Sequence, residues 1–168
     1  MVLIGMIVSM GSSEQDVQKA VGFTLSSLGY AVSRRFHRLL APLELEPREF
    51  ALLRAVCVAE GQSQQAIGER LQIPPSRMVA FVDALERRGL LQRRPNPNDR
   101  RARELHLTED GHALLSQAFV LAVELERELC ADLGGEEREQ LLELLERVGG
   151  RVGLDTGTHA AHSALADE

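Results

Sequence analysis

The stretch ERLQIPPSRMVAFVDALERRGLLQRRPNPNDRRARELHLTEDG, Glu69 to Gly111, decides the fold. Its first residues finish a short helical pattern that begins at Ser63. There SQQAIGERLQI sets Ala66, Ile67 and Leu71 on one stripe, and the Ser63 hydroxyl is suited to cap the helix. Pro74 and Pro75 then break the chain. Proline is pre-set for the first turn of a helix, so PSRMVAFVDALERRG restarts one with Met78, Val79, Val82 and Leu85 facing inward, and Gly89 stops it. Two helices across a tight turn make a helix-turn-helix. Leu90 and Leu91 open an extended segment that reaches Arg94, PNPND is rich in turn formers, and RARELHLT suits a return strand through Ala102, Leu105 and Leu107. The expectation is a β-hairpin with a basic tip directly behind the second helix.

Outward from this centre the pattern is helical. Apolar residues at Val17, Val21, Leu25, Leu28 and Val32 predict a long helix from about Gln15 to Leu40, which Pro42 ends. Pro47 begins a second, Arg48 to Ala59, carrying Phe50, Leu52, Leu53 and Val56, with Gly61 closing it. After the hairpin, Thr108 caps a helix whose seam is Leu114, Ala118, Leu121, Leu125 and Leu129, with Glu124, Glu126 and Glu128 outside. Gly134 and Gly135 interrupt it. A last amphipathic helix runs from about Glu136 to Val148 through Leu141, Leu142, Leu144 and Leu145, and Gly149-Gly150 ends the ordered chain.

A chain of 168 residues with 44% hydrophobic content suits one domain with an ordinary core. The formal net charge of −6 looks wrong for a nucleic-acid binder until its distribution is considered. From Arg70 to Arg103 nine arginines face only Asp83, Glu86 and Asp99, so the segment is +6, and the remaining 10 basic and 22 acidic residues leave the rest at −12. A solvated charged face is the plain alternative for any charge run. Here the run crosses a turn and two strands and is arginine alone, the residue suited to bidentate phosphate and guanine contacts, which favours nucleic acid.

The same 43 residues resemble the winged-helix signature of the MarR family of transcriptional regulators without a gap. The matches are Leu-x-Ile before the turn, Ser76, Leu85-Glu86, Gly89-Leu90, the arginine-rich strand, Asp99-x-Arg101, and Leu107-Thr108 followed by Gly111. The resemblance covers roughly Gln15 to Val148. It implies a mainly α fold with a small β-hairpin wing, six helices, and a homodimer joined through the N- and C-terminal helices. The domain is expected over residues 14–149, with the DNA-binding lobe at about 46–108 and the dimerisation region at about 14–40 and 109–149.

The implied partner is duplex DNA, read at a near-palindromic operator by two copies of the chain one helical turn apart. The recognition helix, 75–88, enters the major groove and presents Pro75, Ser76, Arg77 and, further along, Ala80 and Phe81. Arg77 is the candidate for a bidentate guanine contact. Ser63 and Gln64 open the preceding helix, where free N–H groups suit a phosphate. In the family a polar cap stands where this chain has Pro74, which cannot cap with a side chain. In the wing, 93–103, the resemblance nominates Arg101 for the minor groove with Asp99 as its orienting partner or a turn former, while Arg93, Arg94, Arg100 and Arg103 neutralise phosphates.

The resemblance also implies a small phenolic or other anionic effector that favours a lobe spacing unfit for DNA. Arg34, Arg35, His37 and Arg38 could meet such an anion. A basic cap on a helix C-terminus is the favoured account of them. Cys57, among Leu53, Val56 and Val58, is expected to be a buried small hydrophobe, and Cys57 with Cys130 cannot build a disulfide framework, in keeping with a reducing bacterial cytoplasm. His106, His112, His159 and His162 lack a metal-ligand spacing, and no cofactor is expected. Met1 to Met10 is apolar but too short to span a bilayer and has no basic residue before it, so neither export nor membrane insertion is expected. Residues 1–13 form an extension, either an arm packing on a partner subunit or the product of an upstream start codon, and 150–168 a tail. No Gly-x-Ser-x-Gly, His-Glu-x-x-His or Walker loop is present, so an enzyme is not expected. The rivals are a protein-interaction module without specific DNA binding and a metal-responsive regulator.

Overall fold

The computed structural model describes residues 20–96 and 103–153. The chain divides into two units, Met1–Arg38 and Leu39–Glu168. The described part of the first is most of helix α1, Val21–Leu40. Arg34 lies over the Tyr30 ring, 5.7 Å from its centroid, and His37 and Arg38 occupy the last turn, where cations suit the negative end of the helix dipole.

In the second unit a 3-10 turn, Ala41–Leu43, leads to α2, Pro47–Val58. Pro47 takes the first helical position as its fixed φ favours, and Glu46 and Glu49 close a capping box there. Phe50, Leu52, Leu53 and Val56 are buried, making α2 the centre of the core. Cys57 is exposed, contrary to expectation: the last turn of α2 emerges from the core, taking Cys57 and Val58 with it. Gly61 does not close the helix, which ends at Val58 with Ala59 as its C-cap. Its N–H instead donates to the Leu105 carbonyl at 3.1 Å.

Helices α3, Gln64–Arg70, and α4, Pro75–Arg87, are the helix-turn-helix. Ser63 accepts from the Ala66 N–H at 3.1 Å and caps α3. The break falls before the prolines. Gln72 adopts φ 55°, its N–H reaches the Glu69 carbonyl and that of Ile73 the Gly68 carbonyl, so α3 closes in a Schellman motif on a non-glycine residue. Gly68 is buried here, and a Cβ on it would meet Met78 Cγ at 3.3 Å. Gly89, at φ 70°, closes α4 in the same motif, with Leu90 N–H on the Leu85 carbonyl.

Strands β1, Leu91–Pro95, and β2, Arg103–Leu107, pair antiparallel with Leu91 opposite Leu107 and Arg93 opposite Leu105. Leu91, Leu105 and Leu107 turn into the core. Along the other edge of β2, Ser63 bridges Glu104, and the Leu105 N–H donates to the Gln62 carbonyl at 3.0 Å. The wing is therefore rooted on both sides. Helix α5, Glu109–Leu129, packs on α2, where Phe50 and Phe119 meet edge to face at 5.4 Å. Its inward residues are Gly111, Leu115, Ala118 and Leu125, while of the other residues of the expected seam Leu114 and Leu121 are half-buried and Leu129 is exposed. Helix α6, Gly135–Arg151, continues through Gly149-Gly150, since glycine weakens a helix without blocking it as proline does. No residue of α6 is buried.

Candidate nucleic-acid interface

Helix α4 has three faces set by the 3.6-residue turn. Met78, Val82 and Leu85 are buried beneath it. Arg77, Phe81, Ala84 and Arg88 share a flank, and Ser76, Val79, Ala80, Asp83 and Arg87 form an exposed front. Val79 thus points outward rather than into the core, because the helical period that buries Met78 and Val82 carries it past the buried arc.

Two clamps fix this helix. On the flank, the Arg48 guanidinium lies 5.3 Å from the Phe81 ring centroid, and Arg88 Nη1 donates to Glu49 Oε2 at 3.1 Å. Glu49 Oε2 also accepts from the Glu46 N–H at 3.0 Å, so the first turn of α2 is tied to α4 through one carboxylate. Opposite, Arg93 at the root of β1 gathers three partners. Its backbone N–H donates to Glu86 Oε1 at 2.9 Å, its Nη1 reaches Asp83 Oδ1 at 2.7 Å and also Glu86 Oε2, and its Nε donates to Gln64 Oε1 at 3.0 Å. Helix α4, the root of the hairpin and the start of α3 are locked by one guanidinium.

That arrangement redistributes the expected roles. Arg93 is committed to Asp83 and Glu86, and its side chain is only 21% exposed. Gln64 holds Arg93 and Ser63 caps α3, so both support the surface. Pro75 and Ser76 are exposed at the entrance of α4, Arg77 is half-buried on the flank, and Phe81 is half-buried beneath Arg48. Pro74 makes no side-chain cap. Arg94 and Arg103 are exposed on the wing strands. Asp99, Arg100 and Arg101 lie outside the described residues. Sequence reasoning missed the ion-pair hub. Its signal was there in Asp83 and Glu86, the two acidic residues of the arginine-rich segment that fall on the described chain. At the wing root, His106 stands between carboxylates, Nδ1 3.5 Å from Glu60 and Nε2 3.3 Å from Glu104.

Two helices across a tight turn, the second clamped with an open front and followed by a hairpin, define a winged helix-turn-helix protein. The model of the MarR family matches residues 43–102. The HTH-type transcriptional regulator PecS of Dickeya dadantii is 33% identical over 128 residues, covering 74% of this chain and 77% of that one. The transcriptional repressor CouR, solved bound to a 23-mer DNA duplex, superposes with a TM-score of 0.74 at 34% identity, covering 80% of this chain and 95% of that one. CouR from Rhodococcus jostii RHA1 bound to p-coumaroyl-CoA does so with a TM-score of 0.68 at 29% identity, covering 78% and 92%. The chain belongs to the MarR family. It is a transcriptional regulator, not an enzyme. No described helix is long and apolar enough to cross a membrane.

Proposed function

We propose that this protein is a ligand-responsive repressor that acts in the cytoplasm as a homodimer on a near-palindromic DNA operator. The observation that carries the proposal is the exposed front of α4, held between two clamps and flanked by exposed Arg94 and Arg103. CouR, with a DNA-bound structure of the same fold, supports duplex DNA as the partner. In this account the lobe at 46–108 binds DNA, with Pro75, Ser76 and Arg77 at the major groove. Ser63 and Gln64 lie toward a flanking phosphate, Arg94, Arg100 and Arg103 meet the backbone, and Arg101, oriented by Asp99, enters the minor groove. Arg93 serves by holding the wing to α4.

Residues 14–40 and 109–149 form the dimerisation region, supported by the exposed apolar residues of α1, α5 and α6, with residues 1–13 as an extension and 150–168 as a tail. A small anionic or phenolic effector releases the operator, acting through its difference in affinity for the DNA-fit and unfit arrangements. The p-coumaroyl-CoA complex of CouR supports that class. Arg34, His37 and Arg38 are the candidate contacts for its charge.

The test is selection of bound duplexes from a random library, followed by affinity against salt for wild type, Arg77→Ala and Arg101→Ala. An enriched near-palindrome with half-sites about 34 to 36 Å apart, weakened by both changes, is the expected result. Sequence-independent binding of micromolar strength or worse at physiological salt overturns the proposal.

A further inference from the structure

We infer that Val79, with Ala80 beside it, is the specificity-determining side chain of α4 and reads thymine methyl groups in the operator. The inference rests on the proposal that α4 enters the major groove, and it names the chemistry by which that helix discriminates bases. The exposed residues on the front of the first two turns are Pro75, Ser76, Val79 and Ala80, so it carries one hydroxyl and otherwise only apolar groups. Asp83, next along the front, is held by Arg93 Nη1 at 2.7 Å. Arg87 stands in the last turn, away from the helix entrance that lies nearest the base edges. Arg77 sits on the flank with Phe81 and Arg88, both of which are engaged with the first turn of α2. Arg77 is thus the one long donor of these turns and stands at their edge, so the leading front itself presents an apolar surface to the bases.

What does project is an isopropyl group 45% exposed, on a helix whose neighbouring valine, Val82, is completely buried. Of the four base-pair orientations in the major groove, only those with thymine offer an apolar feature, the C5 methyl, and apolar side chains are its natural partners. Val79 supplies branched methyls at that depth. The single methyl of Ala80 lets the helix approach closely beside it. The recognition code expected of this chain is accordingly rich in adenine–thymine pairs beneath Val79 and Ala80.

The experiment uses the full chain and the operator selected above, with each thymine replaced in turn by deoxyuridine, which removes the methyl and keeps every hydrogen-bonding group. One or two replacements per half-site should lower affinity about fourfold, the equivalent of one buried carbon group. In Val79→Ala the same replacements should change affinity less than about twofold on that scale, while Val79→Ile, which keeps the apolar tip, should retain the response. Because Val79 is exposed, neither variant disturbs the core. An operator that is bound specifically yet insensitive to deoxyuridine at every thymine overturns the inference, as does a methyl effect of unchanged size in Val79→Ala. If no operator can be selected, the proposed function itself falls and the inference with it, so the two failures are distinct.

Discussion

Gly111 occupies a place that no side chain can share. A Cβ there would lie 2.0 Å from the Leu90 carbonyl oxygen, a backbone atom that also accepts the Thr108 N–H and cannot step aside. Thr108 completes the junction, accepting from the Gly111 N–H at 3.0 Å and donating to the Gly89 carbonyl at 2.6 Å. The Leu-Thr-x-x-Gly pattern is thus the weld between the wing and α5. Gly111→Ala should cost about 1 to 3 kcal/mol, the range for overpacking a close contact, read as a lower urea midpoint at unchanged slope. The opposite sign is expected at Gln72, whose φ of 55° is the left-handed conformation that a Cβ disfavours. Gln72→Gly should stabilise the lobe by about 0.5 to 1 kcal/mol in the same assay, since the helix closure asks for glycine and has none. The first position was visible in the sequence as a motif. The second was not, because two prolines gave a sufficient account of the break and nothing in the residue types announced that α3 had closed before them.

At the scale of elements, helix order, the hairpin and its rough bounds were legible because periodicity and punctuation agree: proline opens α2 and α4, glycine closes α4, and Ser63 and Thr108 cap their helices. What could not be read was which charges face each other. Arg93 and Arg94 are neighbours of identical type, and strand alternation sends them to opposite sides of the hairpin. Arg93 turns to Asp83 and Glu86 on α4, and Arg94 turns to solvent. Their substitutions should separate accordingly. Arg93→Ala leaves two carboxylates uncompensated and should lower unfolding stability by about 1 kcal/mol or more along with DNA affinity. Arg94→Ala should leave stability within about 0.5 kcal/mol and, since the dimer loses one phosphate contact in each copy, reduce the slope of log affinity against log salt by about 1.8. Paired denaturation and salt titrations check both outcomes, and equal loss of stability in the two variants would remove the distinction drawn from the geometry.

For the whole molecule, the unresolved demand is the apolar surface of α5 and α6. Val120 and Val123 on α5 and Leu141, Leu142, Leu144 and Leu145 on α6 are all exposed, Leu142 by 57%, and α6 buries nothing of its own. A helix of 17 residues with four leucines and no buried position gains little from its own chain, and most of a helix's stability in a protein comes from packing its apolar face. Burial against a second copy would supply what is missing, at about 1.5 to 3 kcal/mol for each leucine fully covered. The sequence announced the leucines but not their fate, since the same spacing serves an intramolecular core or an interface. If they serve a dimer, Leu142→Glu with Leu145→Glu should raise the dissociation constant of the dimer at least about 100-fold, from the roughly 2.7 kcal/mol lost when two such contacts become buried charges. Sedimentation should then find monomers at micromolar concentration. Stability of the lobe at 46–108 should persist, because its core draws on α2 to α5 and not on α6. Operator affinity should fall together with dimerisation, for one recognition helix covers only a few base pairs. A variant that remains dimeric would show that α6 faces something else, and one that is monomeric yet binds the full operator undiminished would show that the two half-sites are read independently.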